Sequence, residues 1–235
     1  YPVILLASVI QSLFGAGVLL LGIPWMLLLG MTFPATLQLL LPISLTISLL
    51  QLSRGHQYVD RVLLRGIAIL TLPAIVVALL ASTRWSPPLE IFVAILVLTF
   101  SLQDRVRLIR HGLNQLLGFE RTYIAIMGLV HGASNLGGSM LTALAFGKGL
   151  HRDVSRATIA AGYTLFAIVQ LTTLRLAGTN WQVDLGTGAG LIVAGATTFW
   201  LTERYIFSRF DPRKYRIGLE MLLIITGLLL LLSAF

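Results

Sequence analysis

The stretch 131-HGASNLGGSM-140 lies inside an apolar run from Tyr123 to Phe146. It sets a His, two Ser, an Asn and three Gly where a membrane helix is normally most apolar. Its reading decides the fold. A chain carrying it is either one crossing with a polar defect or two half-helices that meet at a turn.

The surroundings point to a membrane. Of 235 residues, 57% are hydrophobic and 11% charged, with a mean hydropathy of +0.90, whereas a soluble domain carries about 25% charged residues. Apolar stretches at 33–51, 63–82, 87–102, 156–174, 186–203 and 217–234 read as full crossings, given that roughly 20 residues span a hydrocarbon core of about 30 Å. No soluble domain fits between them. The net charge of +8 lies in short loops rather than on one face, which is a topology signal and not a nucleic-acid surface. The absence of cysteine excludes disulfides and thiolate-bound metals or clusters.

Two segments break the pattern. One runs from Pro2 to Gly30 and is interrupted by 15-GAG-17, Gly22 and Pro24; the other runs from Thr122 to Gly147 and is interrupted by 132-GASNLGG-138. At about 1.5 Å per residue each is longer than one crossing and too short for two. The basic residues choose between a tilted helix and a re-entrant hairpin. If both segments cross once, eight Lys and Arg fall on one side and nine on the other. If both are hairpins, the loops at 52–65, 103–121, 147–156 and 203–216 share a side that carries 15 of the 17, leaving Arg84 and Arg175 opposite. The second split obeys the positive-inside rule. The expectation is therefore a multi-pass protein of the cytoplasmic (inner) membrane, with the basic loops in the cytoplasm.

The halves echo one another in order: a Gly-broken segment, then 59-VD-60 against 183-VD-184, then 89-LE-90 against 219-LE-220. Each half is a hairpin plus three crossings, an odd number, so the second must be inserted upside down. The expected fold is an all-α polytopic membrane protein of two inverted repeats, 1–118 and 119–235, forming one membrane-embedded unit. Inverted repeats with broken helices are a transporter architecture.

Irregular backbone survives in hydrocarbon only where protein or a water-filled cavity covers it, so both breaks should face one interior site. The returning arms would begin near Gly17 and Gly138, aiming free N–H groups and the positive dipole end at mid-membrane, where anions bind. None of the six full stretches carries a charged residue in its middle, and a cation site should show a central carboxylate. The candidates for binding a small anion are His131, Ser134, Asn135, Gly137, Gly138 and Ser139 at the second break, with Thr142 nearby. At the first break they are Gln11, Ser12, Gly15 and Gly17. The alternative reading of the glycines and serines is close helix packing, and that of His131 is a neutral structural imidazole; proton coupling through His131 is a third. Asp60 and Asp184 read as helix caps.

These residues resemble the TauE/SafE sulfite-exporter-like permeases over nearly the whole chain. The likeness rests on 15-GAGVLLLGIP-24, on 135-NLGGSM-140 about 120 residues later, and on a Val-Asp pair after the following helix in each half. The chain departs from the family pattern at the first segment, where a GxGGG-like run is expected and Gly15, Gly17 and Gly22 are scattered. The resemblance implies a secondary transporter, by family an exporter, of a small sulfur-containing anion such as sulfite or an organosulfonate. An anion channel of the same architecture is the alternative. Neither an enzyme nor a cofactor or metal is expected. The expected partners are the anionic substrate and the lipid bilayer, with a proton or sodium as any coupling ion, no nucleic acid, and a homodimer as the assembly.

Overall fold

In hydrocarbon every backbone N–H and C=O must find its partner within the protein, and a helix does this within its own segment. The apolar stretches accordingly fold as helices. The computed structural model describes residues 2–14, 17–85, 89–103, 105–206 and 212–233. In chain order the helices are α1 (Pro2–Phe14), α2 (Val18–Leu28), α3 (Phe33–Gly55), α4 (Arg61–Trp85), α5 (Leu89–Leu102), α6 (Arg107–Gly118), α7 (Glu120–Ser134), α8 (Gly137–Gly147), α9 (Arg152–Leu176), α10 (Leu185–Leu201) and α11 (Pro212–Ser233). A 3₁₀ turn, His56–Tyr58, follows α3, and a π turn, Thr202–Ile206, follows α10.

Four of them, α3, α4, α9 and α10, are long and apolar enough to cross a membrane. Aliphatic side chains stand exposed along them, including Val62, Ile69 and Val77 on α4 and Leu185 and Val193 on α10. Such surfaces belong against lipid rather than water. The protein is a multi-pass, all-α membrane protein. Of the expected crossing at 87–102, the described part is α5, 14 residues or about 21 Å of helix.

Both interrupted segments are pairs of half-helices. Lys148, just past α8, lies 2.9 Å from Glu120 at the start of α7, and the Tyr123 hydroxyl donates to the Met140 carbonyl at 2.8 Å. So α8 runs back alongside α7. At the other break, Gly17 sits against Ala7, Ile10 and Gln11, where a Cβ would lie 2.4 Å from the Gln11 nitrogen. The chain there turns back so tightly that no side chain fits.

Helix directions follow from the contacts. At one end Gln38 exchanges hydrogen bonds with the backbone of Asn180 and Gln182, just beyond α9; at the other, Gly55 meets Ala157 and the Asp60 N–H donates to Thr158. Thus α3 and α9 are antiparallel, with 44–51 of the one alongside about 163–172 of the other. Arg105, beyond α5, pairs with Glu220 near the start of α11, and Gly227 packs on Leu98, so this pair is antiparallel too. By contrast α4 and α7 run parallel, with Gly128 against Thr71 and Gly132 against Ile75. The ends of the bundle bearing Arg54, Arg61, Arg105, Arg121, Lys148 and Arg156 come together.

Caps agree with the sequence. Asp60 accepts from the N–H groups of Val62 and Leu63 at 3.0 Å, and Asp184 from Thr187 at 2.9 Å. The basic loop 103–121 differs from expectation, since α6 fills most of it. Leu108, Ile109, Leu113, Leu116 and Leu117 recur at helical spacing, with Arg107, Arg110, His111 and Gln115 between them. That is an amphipathic helix.

Candidate functional site

The stretch 131–140 straddles the turn between α7 and α8. Asn135 ends α7 with φ 61° and ψ 11°, and it is the one non-glycine residue with positive φ among the described residues. Asn tolerates this left-handed conformation better than most side chains because its short amide suits local turns. The Asn135 N–H donates to the His131 carbonyl at 2.7 Å, closing the last turn of α7. The sequence suggested a polar break here; the left-handed cap explains why the residue at its apex is Asn.

The glycines on either side are demanded by packing. A Cβ on Gly132 would lie 2.4 Å from the Ile75 carbonyl oxygen, and one on Gly128 2.6 Å from that of Thr71. These two let α7 press its backbone on α4, a small-residue contact of the kind membrane helices use. A Cβ on Gly137 would meet the Met127 carbonyl at 2.5 Å, and one on Gly138 would sit 1.6 Å from the Tyr163 hydroxyl. Tyr163 therefore lies directly over the first turn of α8, where helical N–H groups lack intrahelical partners.

His131 is fully buried beside that turn. Its ring lies 4.5 Å from Phe166 and edge-on to Tyr163 at 6.3 Å, centroid to centroid. Gln170, also on α9 and fully buried, is close to the imidazole, but no hydrogen bond of ordinary geometry joins them. Both ring nitrogens of His131, both amide atoms of Asn135 and both amide atoms of Gln170 lack partners. A buried polar atom without a partner costs about 1–3 kcal/mol. Native proteins hold few such atoms, and each one asks for an explanation.

The remaining candidates at this break are engaged locally. Ser134 donates to the Val130 carbonyl and accepts from the Leu136 N–H, and Thr142 donates to Gly138. Ser139 is half-buried on the first turn of α8. His131, Ser134, Asn135, Gly137, Gly138 and Ser139 thus form one cluster. The sequence analysis gives Tyr163, Phe166 and Gln170 no place in the site. Only the packing of α9 on the break brings these three to His131.

The first break is built differently. The Gln11 side-chain amide nitrogen donates to the carbonyl and hydroxyl of Ser44 and to the Ser48 hydroxyl, at 3.0–3.3 Å. Its oxygen accepts from the Val18 N–H at 3.1 Å and from Ser44. Val18 is the first residue of α2, so Gln11 fills the position a ligand would take at that helix start. Gln51 donates to the carbonyls of Gln11 and Ser12, which α1 leaves open at its end, and the Ser12 hydroxyl donates to Ser8. Gly15 lies outside the described residues.

Both breaks sit on the antiparallel pair α3 and α9 at similar heights, and the second cluster is closed to solvent, with Asn135 at 1% exposure. The arrangement sets buried polar side chains beside the start of a helix, in the protein interior. A family model described as sulfite exporter TauE/SafE matches residues 1–230. No curated protein and no solved structure matches the chain.

Proposed function

The chain belongs to the sulfite exporter TauE/SafE family, and from that premise we propose a secondary transporter, in the export direction, for a small sulfur-containing oxyanion such as sulfite or an organosulfonate. The observation that carries the reading is the set of six unpartnered polar atoms on His131, Asn135 and Gln170. His131 packs against Tyr163 and Phe166 beside the start of α8, with Gln170 next to it. An oxyanion entering there would accept from the first-turn N–H groups of α8, from the Asn135 and Gln170 amides and from a His131 N–H. Its binding would recover hydrogen bonds that the closed site forgoes.

Of the candidate residues, His131, Asn135, Gly137, Gly138 and Ser139 form the binding wall, with Ser134 shaping the turn. Gln11, Ser12 and Gly17 hold the facing break. The substrate reaches the cluster only when the helices around it move apart. We further read residues 1–118 and 119–235 as inverted repeats of one membrane-embedded unit, each a hairpin plus three crossings. The antiparallel pairing of α3 with α9 and of α5 with α11 supports this. So does a matching pair of contacts: Gln38 of α3 holds the loop before α10, and Thr158 of α9 holds the loop before α4. The convergence of basic loops at one end supports their assignment to the cytoplasm.

Flux of labelled sulfite, thiosulfate and a simple sulfonate in reconstituted vesicles tests the reading. Saturable movement of one of them, able to run against its gradient when an ion gradient is imposed, is the expected result. Non-saturating downhill flux would favour an anion channel instead. Correctly folded protein that moves none of these anions would sink the proposal. Because the chain has no cysteine, single cysteines in 147–156 report topology cleanly, and they should label from the cytoplasmic side.

A further inference from the structure

A second group of charges lies just beyond the first break, at the basic end of the bundle. Arg156, near the start of α9, donates both to the Ser12 carbonyl, at 3.1 Å, and to the Glu203 carboxylate. Glu203 also pairs with Arg54, at the end of α3, at 3.6 Å. The Glu203 and Arg156 side chains are only 13% and 22% exposed. Glu203 stands on the π turn that follows α10, a local irregularity often found where helices must adjust. The group therefore ties α1 and α3 to α9 and α10 with charged contacts. It shares the Ser12 carbonyl with Gln51, which belongs to the polar network of the first break.

Two arginines converge on one carboxylate, and one of them, Arg156, also on the negative end of a half-helix. Pulling the carboxylate away without replacement would strand partly buried charges, which is strongly unfavourable. Replacing it by another oxyanion keeps Arg156 in a charge-assisted pair, so the exchange is close to balanced. Such an exchange would free Glu203 and release the cross-links from α9 and α10 to α1 and α3.

We propose that Glu203 is an internal surrogate for the transported anion. It latches the basic-side mouth by occupying Arg156 and Arg54, and a small oxyanion arriving from that side opens the mouth by taking its place on Arg156. The identity of the opener rests on the function proposed above; the latch itself does not.

The experiment uses the full-length protein in vesicles with one cysteine, Ser12→Cys, beneath the latch, and a membrane-impermeant thiol reagent applied from the basic side. In the parent, labelling should be slow, and methanesulfonate should accelerate it. In Glu203→Gln, which removes the carboxylate charge, labelling should be faster by roughly tenfold or more, the scale of one lost charge-assisted hydrogen bond, and methanesulfonate should add little. Arg156→Lys keeps the charge but cannot span Ser12 and Glu203 together; it should label like Glu203→Gln. Unfolding midpoints within a few degrees of the parent establish that each variant is folded. Equal labelling of parent and both variants overturns the latch. Fast labelling of the variants with a parent indifferent to methanesulfonate overturns the exchange. If the parent moves no anion in vesicles, the functional reading fails, while the labelling comparison still decides the latch.

Discussion

The two breaks have the same architecture and opposite polar chemistry. At the first, Gln11 bonds to the start of α2, and Ser44, Ser48 and Gln51 complete a network that partners the exposed helix ends and leaves one buried atom, the Gln51 Oε1, unpartnered. At the second, His131, Asn135 and Gln170 are as deeply buried and present six such atoms. A break in a membrane helix needs its backbone covered, and the first break shows that this chain can supply the cover from its own side chains. Leaving side-chain atoms at the second without partners is thus not a necessity of the fold. On the proposed function, scaffolding falls to the first break and ligand contact to the second.

The comparison can be broken most forcefully at the backbone contact that seats the second break. Gly132→Ala drives a Cβ to 2.4 Å from the Ile75 carbonyl, and neither helix can yield locally. A loss of about 1–3 kcal/mol or more, read as a lowered unfolding midpoint in detergent, is expected. An unchanged midpoint would mean that α4 and α7 do not pack this closely.

Glutamine-to-leucine replacement separates the two breaks. Gln11→Leu leaves the Val18 N–H and the Ser44 hydroxyl without their partner and should cost about 1–3 kcal/mol of stability. Gln170→Leu removes two unpartnered atoms and should be neutral or stabilising, while weakening anion binding. Thermal unfolding of both variants side by side is the measurement. Similar losses in the two would erase the distinction drawn here.

Asn135 has two roles that substitution can resolve. Asn135→Gly keeps the left-handed turn and loses the amide, so anion affinity should fall roughly tenfold, as for one lost hydrogen bond to a charged group, with stability nearly unchanged. Asn135→Ala loses the amide and adds about 1–2 kcal/mol of left-handed strain. Equal affinity of Asn135→Gly and the parent would leave the residue as a turn former alone.

The smallest effect compares the halves through their matching caps. The side-chain and backbone hydrogen bonds from Thr187 hold the Asp184 carboxyl below its ordinary range. A depressed carboxyl contributes stability above its unfolded pKa, near 3.9, and that contribution disappears as pH falls through the folded value. Asp184→Ala should therefore be slightly less stable than the parent at neutral pH and indistinguishable from it in strong acid. A gap in unfolding midpoint that widens towards acid would reverse this assignment.

Much of the fold is legible along the chain because its causes are local. Apolar length marks the helices, the Gly-rich interruptions mark both breaks to within a residue or two, and the caps at Asp60 and Asp184 follow from side-chain chemistry. The amphipathic helix α6 was equally readable from its leucine spacing, but the density of arginine there resembles a loop. The site was half legible. His131 and Asn135 stand out as polar residues in an apolar run, whereas Gln170, Tyr163 and Phe166 lie 28 or more positions later in sequence and acquire meaning only through packing.

What the sequence determined by itself is therefore whatever depends on neighbours in the chain: the all-helical membrane architecture, the breaks, and the charge asymmetry that points to hairpins. Only the tertiary structure decided which polar groups are satisfied. Hydrogen-bond partnership is a property of pairs brought together across the fold, so Gln11 and His131 look equally exceptional as letters. The partners that α3 supplies at one break, and α9 withholds at the other, are what separate a largely satisfied joint from a cluster of unpartnered polar groups.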